Sequence, residues 1–426
     1  MSVPSTTALL TDRYELTMLG SALRDGSAHR DCVFEVFARR LPDGRRYGVV
    51  GGTARVLDTI ARFHFDDETL EFLREHDIVD AATADYLAGY RFRGDVSGYP
   101  EGELYFPYSP VLTVTASFAE AVVLETVILS ILNHDTAITS AAARMVAAAG
   151  GRPIIEMGSR RTHEQAAVAS ARAAYLAGFA STSNLAAARR YSVPTAGTAA
   201  HAFTLLHDDE RAAFAAQLAS MGTGTTLLVD TYDITRGIER AIETAGTELG
   251  AIRIDSGDLA VMARHSRELL DKLGATGTRI VVSGDLDEFS IAALAAAPVD
   301  VYGVGTSLVT GSGEPTANMV YKLVEVDGRP VAKRSEHKSS NGGRKTALRS
   351  YKPSGTAIEE IIVAGAASPG EGERLLQIPL LRGGAPVDGL PGLEQSREHL
   401  RAATVTLPWD GLKLSRGEPA IPTRFA

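Results

Sequence analysis

Between residues 153 and 307, a short apolar run ends in small or charged residues seven times, and a helical pattern follows most of these ends. The ends read IIEMGSRR, GFASTSN, VPTAGTAAH, LLVDTYD, AIRIDSGD, IVVSGDLD and VYGVGTS. Strand and helix in alternation call for parallel strands joined by crossovers, since a tight hairpin cannot connect a parallel pair. The expected fold class is therefore α/β, with a closed or nearly closed (β/α) barrel first and an open doubly wound sheet second. In a barrel all seven ends open on one face, where such folds place their chemistry.

The flanks read differently. TDRYELTMLGSAL reads as a helix with Thr11 or Asp12 near its N-cap, and CVFEVFAR alternates like a half-buried strand. Residues 93–115 read as short strands with turns, followed by two helices at about 117–132 and 136–149. Beyond residue 317 a hairpin is expected around Asp327-Gly328, then a strand in GTAIEEIIVAG. Residues 366–392 read as a loop with one short strand, and GLEQSREHLRAA as a final helix. This gives an N-terminal α/β sandwich part (1–115), a barrel (116–317) and a β-rich segment (318–426) that packs with the N-terminal part.

The 426 residues carry a formal charge of -9, which argues against a nucleic-acid-binding surface, although a local basic pocket can still take an anionic small molecule. A single cysteine, Cys32, excludes an intramolecular disulfide and fits a reducing compartment. With neither a secretory pattern nor an apolar run long enough to span a bilayer, the expectation is a cytoplasmic protein without membrane contact.

The strand ends hold the candidate chemistry. Ser283-Gly284 in SGDLDE and Gly303, Gly305 and Thr306 in GVGTS expose backbone N–H groups and hydroxyls without bulk, which suits phosphate. The plain alternative is a tight turn that needs glycine for its backbone alone. Arg253 and Asp255 point the same way along a strand. With Asp258, they can hold an anion and a hydroxyl or hydrated Mg²⁺, or form an internal salt bridge that orients the loop. Arg160 and Arg161 stand at another strand end, where guanidinium groups suit phosphate or carboxylate. His201 follows the third end among small neighbours; beside phosphates it can be a general base, an electrostatic partner or a phosphoryl acceptor.

Together, LLTDRYELTML, FEVFARRLP, EMGSRR, STSN, VPTAGTAAHAF, LLVDTYD, IRIDSGDL, GVGTS, VYKLVEV and GGRKTALR resemble the nicotinate phosphoribosyltransferase family, in the family's order over most of residues 9–350. The resemblance implies an irregular (β/α) barrel with an α/β sandwich built from the terminal segments, and a homodimer. It implies transfer of phosphoribosyl from 5-phosphoribosyl 1-pyrophosphate to nicotinate, coupled to ATP hydrolysis with Mg²⁺. His201 would be the phosphohistidine. Thr198 and Arg253 would contact nicotinate, Arg253 through the carboxylate, with Tyr14 of the same or the partner subunit against the ring. Arg160 and Thr306 match positions that hold phosphoribosyl pyrophosphate, and Asp255 and Asp258 are the Mg²⁺ candidates.

Two positions depart from the family pattern: Ala202 stands where Ser is common after the histidine, and Ser159 where Leu is common. The basic stretch 333–349 reads as a phosphate lid or a solvated loop, and Lys338 and Lys345 are not assigned. Nicotinamide phosphoribosyltransferase and a non-catalytic nucleotide sensor on the same fold are the alternatives. A nicotinamide site needs a group to receive an amide N–H, whereas Arg253 favours a carboxylate.

Overall fold

The computed structural model describes residues 6–333 and 341–426; Lys338 lies outside them. The chain divides into two compact units, Met1–Ser140 with Glu314–Ala426, and Ala141–Gly313. The division falls inside one 25-residue helix, Glu125–Ala149, rather than at 115/116. Two helices were expected here, with a break near residue 134. The observed break comes earlier, between the short helix Phe118–Val122 and Glu125. Asn133 and Asp135 interrupt the apolar pattern without breaking the backbone, because their side chains bond outward. Asn133 Oδ1 accepts from Met319 N–H at 2.7 Å, and Asp135 pairs with Arg55 at 2.6 Å.

In the unit built from both termini, Asp31–Ala38 is an inner strand of a seven-stranded sheet. It pairs antiparallel with Met319–Val326 on one side and Leu112–Ser117 on the other. Every residue of that strand after Asp31 is buried, so the expected half-buried alternation does not hold. The polar position Glu35 is buried under Lys345, whose Nζ lies 2.6 Å from its carboxylate. The Asp327-Gly328 hairpin forms as expected. Its two central residues have φ of 48° and 71°, the left-handed pair that a type I′ turn requires. Residues 366–392 contain three short strands rather than one.

In the other unit, six parallel strands form one curled sheet in the order Ser181–Thr182, Ile154–Glu156, Val301–Val304, Arg279–Val282, Ala251–Ile254, Thr226–Leu228. These are six of the seven expected strands. The seventh, in VPTAGTAAH, is reduced to a single bridge between Thr182 and Thr195. Pro194 has no N–H to donate, and the small residues that follow give a strand little to pack, so no ladder develops. Among the described residues no ladder joins this edge to Thr226–Leu228, so the sheet is a half-barrel rather than a closed barrel.

No helix among the described residues is long and apolar enough to cross a membrane.

Candidate active site

The VPTAGTAAH segment spans the open side of the half-barrel. At one end Thr182 N–H donates to Pro194 O (2.9 Å) and Ala196 N–H to Thr182 O (3.0 Å). At the other end His201, first residue of the helix His201–Leu205, meets the loop after Thr226–Leu228. Its Nδ1 lies 3.1 Å from Thr231 Oγ1, and its Nε2 lies 3.9 Å from Asp230 Oδ1. Thr198, between the two anchors, is exposed. The segment thus closes in side chains what the sheet leaves open in backbone.

Asp230 is the strand-end residue that sequence reasoning missed. Its side chain is 1% exposed, against 42% for His201. Oδ2 accepts from Asp255 N–H (2.8 Å) and Ser256 Oγ (2.7 Å), while Oδ1 has no hydrogen-bond partner among the described residues. A buried carboxylate oxygen without a donor costs on the order of 1–3 kcal/mol or more. The His201 imidazole is the nearest group to it that can carry positive charge, with Nε2 at 3.9 Å. Only the tertiary adjacency of two strand ends reveals this, because the motif LLVDTYD offers two aspartates with nothing to distinguish them.

Arg253, Asp255 and Ser283 form a second cluster on the next two strands. Arg253 Nε donates to Ser283 Oγ at 2.8 Å and Nη2 to Asp255 Oδ1 at 3.0 Å, and Ser283 Oγ also donates to Asp255 Oδ1. The internal salt bridge is therefore present, with Arg253 15% and Asp255 34% exposed. Burial alone would raise the Asp255 pKa. The Ser283 hydrogen bond and the Arg253 guanidinium outweigh it and hold the carboxyl below its usual range, so Asp255 is ionised at neutral pH. Asp255 N–H on Asp230 links this cluster to His201.

The other expected positions fare differently. Asp258 caps the helix Leu259–Lys272, accepting from Val261 N–H at 3.1 Å. Gly284 has φ of 119°, and a Cβ there would lie 2.9 Å from the Asp255 carbonyl. On Gly303 a Cβ would meet Met157 Sδ at 2.9 Å. Glycine is thus demanded at 284 by its backbone, whatever binds nearby, whereas a side chain at 303 would require Met157 to shift. Gly305 precedes the four-residue helix that opens with Thr306. Arg160 is exposed at the end of the Ile154–Glu156 strand and has no ion pair among the described residues. Arg161, also exposed, closes the turn, its N–H donating to Gly158 O at 2.8 Å.

Tyr14 and Lys345 belong to the other unit. Tyr14 is 44% exposed on the helix Arg13–Asp25. Burial of its hydroxyl and the adjacent Glu125 push its pKa well above the ordinary phenol value. Lys345 is spent on Glu35, so it is a fixed cation of that unit rather than part of a solvated loop.

Comparison with known proteins follows the same residues. Residues 9–133 match the family model described as the nicotinate phosphoribosyltransferase N-terminal domain, and residues 153–355 match that of the nicotinate phosphoribosyltransferase family. The chain is 65% identical over 426 residues to nicotinate phosphoribosyltransferase pncB1 of Mycobacterium tuberculosis, covering 98% of this chain and 94% of that one. It is 38% identical over 336 residues to the nicotinate phosphoribosyltransferase of Bacillus subtilis, covering 76% and 68%. Among solved structures, human nicotinic acid phosphoribosyltransferase superposes with a TM-score of 0.84 at 25% identity, covering 97% of both chains.

Proposed function

Since this chain belongs to the nicotinate phosphoribosyltransferase family, we propose that it joins nicotinate to 5-phosphoribosyl 1-pyrophosphate and couples that transfer to ATP hydrolysis through His201. In the glycosyl step the pyridine nitrogen attacks the anomeric carbon. The bond to pyrophosphate breaks and its electron pair leaves with the pyrophosphate oxygen, giving nicotinate mononucleotide. The nucleophile belongs to the substrate, so the work of the protein is alignment and stabilisation of departing charge.

Arg253 supports a carboxylate-bearing ring. With Nε on Ser283 and Nη2 on Asp255, the guanidinium is held rigid, and Nη1 is uncommitted among the described residues. A planar donor fixed in this way suits a carboxylate better than a neutral amide. Arg160 and the hydroxyl of Thr306 are assigned to phosphate, and Thr198 to nicotinate. Tyr14 is assigned to the pyridine ring on the family pattern alone.

The observation that carries the ATP reading is the pairing of a half-exposed imidazole with a buried, half-satisfied carboxylate. Asp230 can hold an N–H at Nε2 and stabilise positive charge on the ring, and Nδ1, once released from the Thr231 hydroxyl, is then the nucleophile, the arrangement by which a buried aspartate activates a histidine elsewhere. That nitrogen attacks the γ-phosphorus, ADP departs, and water later cleaves the N–P bond to release phosphate.

Among the described residues no three His, Cys, Asp or Glu side chains come together as a metal cage, and Asp258 is engaged as a helix cap. Asp255, ionised and one-third exposed, fits an ion that is coordinated chiefly by substrate phosphates and water. When bound, Mg²⁺ neutralises charge on the departing pyrophosphate.

The test is incorporation of label from γ-labelled ATP alongside formation of nicotinate mononucleotide. The wild-type chain is expected to become labelled and to make product, and His201→Ala to take up no label. Persistent labelling of the variant places the phosphoryl acceptor elsewhere.

A further inference from the structure

Glu156 closes the strand Ile154–Glu156 and is buried, yet it meets no cation among the described residues. Its carboxylate instead accepts two hydrogen bonds, from Gly158 N–H on Oε1 and from Thr182 Oγ1 on Oε2. A buried carboxylate held only by hydrogen bonds is an expensive way to join two strands, and burial accordingly pushes its pKa up. What it joins explains why it is there.

On one side, Gly158 begins the turn that carries Ser159 and Arg160. A Cβ on Gly158 would lie 3.0 Å from Glu156 Oε1 and 3.1 Å from the Gly305 carbonyl oxygen, so this turn also abuts the loop before Thr306. On the other side, the Thr182 hydroxyl accepts from Asn184 N–H at 2.9 Å, and Asn184 Nδ2 returns to Ser159 Oγ at 2.9 Å. Thr182 is also the residue whose backbone bonds to Pro194 and Ala196, where the segment leading to His201 starts. One carboxylate is thus common to the Arg160 turn, the 182–184 loop and the anchor of the His201 segment.

We propose that Glu156 is a positioning residue, holding the Arg160 turn and, through Thr182, the His201 segment in one register. The phosphate-binding turn and the phosphoryl acceptor are then ordered together. This rests on the function proposed above and adds a residue outside the groups that touch substrate.

Glu156→Gln keeps the shape but sets an amide donor against either the Thr182 hydroxyl or the Gly158 N–H, so one of these two donors loses its acceptor. Thr182→Val removes the hydroxyl, and Thr182→Ser retains it. Steady-state kinetics are measured on variants whose Tm shows them folded. Glu156→Gln and Thr182→Val are expected to raise KM for 5-phosphoribosyl 1-pyrophosphate by about tenfold, the loss of roughly one hydrogen bond. Both are expected to hydrolyse more ATP per nicotinate mononucleotide than wild type, while Thr182→Ser keeps the wild-type values. Either quantity unchanged in the folded variants, or a fall in kcat alone, overturns the proposal. Should Glu156→Gln fail to fold, Thr182→Val decides. A wild-type chain that makes no product overturns the proposed function and this inference with it, whereas an active wild type with unaltered variants overturns the inference alone.

Discussion

Arg253, on the strand Ala251–Ile254, and Asp255, just past its end, are two residues apart, and that spacing alone makes them candidates. What the spacing left open was whether they bind each other or a ligand. The structure shows the mutual bond, together with a guanidinium that keeps Nη1 uncommitted among the described residues. Arg253→Ala is therefore expected to raise KM for nicotinate by about 10- to 100-fold, the worth of a charge-assisted pair, with a smaller effect on kcat. Arg253→Lys should recover little, since an ammonium lacks the planar fork. Both follow from initial rates at varied nicotinate, and an unchanged KM in Arg253→Ala assigns the carboxylate to another residue. Asp230, Thr231 and Glu156 were not legible in the same way. Each acquires its role from a neighbouring strand or loop, Asp230 from the Asp255 backbone and Glu156 from the Thr182 hydroxyl, and sheet order is not written in local pattern.

At the scale of elements, reading was most secure where local chemistry decides. The Asp327-Gly328 turn, the helix Arg13–Asp25, which stops at left-handed Gly26, and the β-branched strand Ala357–Ala364 all follow from local signals, although Asp12 makes no side-chain cap bond. Along Asp31–Ala38 the expected strand forms but is buried on both faces rather than one, and at residues 133–135 the expected helix break is absent because polar side chains find tertiary partners. The clearest tertiary case is Arg349, wholly buried on the strand Lys345–Tyr351. It donates to Glu103 at 2.6 Å, to Glu360 at 2.8 Å and to the Leu104 carbonyl at 2.8 Å. Burial would raise Glu103, but Arg349, His399 and Arg374 together hold it well below the ordinary glutamate range. A depressed carboxylate contributes stability that is complete above the unfolded value of about 4.3 and is lost as pH falls through the lower folded value. Arg349→Met leaves buried Glu360 without its cation and Glu103 with only Arg374 and His399, and is expected to cost about 3–5 kcal/mol. It should appear as a lowered Tm at neutral pH and as acid unfolding that begins at higher pH than in wild type. An unchanged acid transition shows that the network contributes nothing to pH stability.

For the whole molecule, the alternation of seven strand ends correctly gave a curled parallel sheet whose strand ends gather the candidate groups. The closure of the barrel was not legible, because it depends on whether VPTAGTAAH pairs as a strand or crosses the gap as an extended segment. It crosses, and this places His201 beside the opposite sheet edge. The acidic chain, at -9, still presents Arg160 and Arg253 at strand ends where anionic substrates are proposed to bind, so net charge does not exclude such a site. The most direct measurement is product formation by the purified protein with 5-phosphoribosyl 1-pyrophosphate, Mg²⁺ and ATP, with nicotinate and nicotinamide in parallel. The expected result is nicotinate mononucleotide with ADP, and kcat/KM for nicotinate at least about 100-fold above that for nicotinamide, since Arg253 then faces no carboxylate. Equal turnover of nicotinamide, or no mononucleotide from nicotinate, contradicts the account.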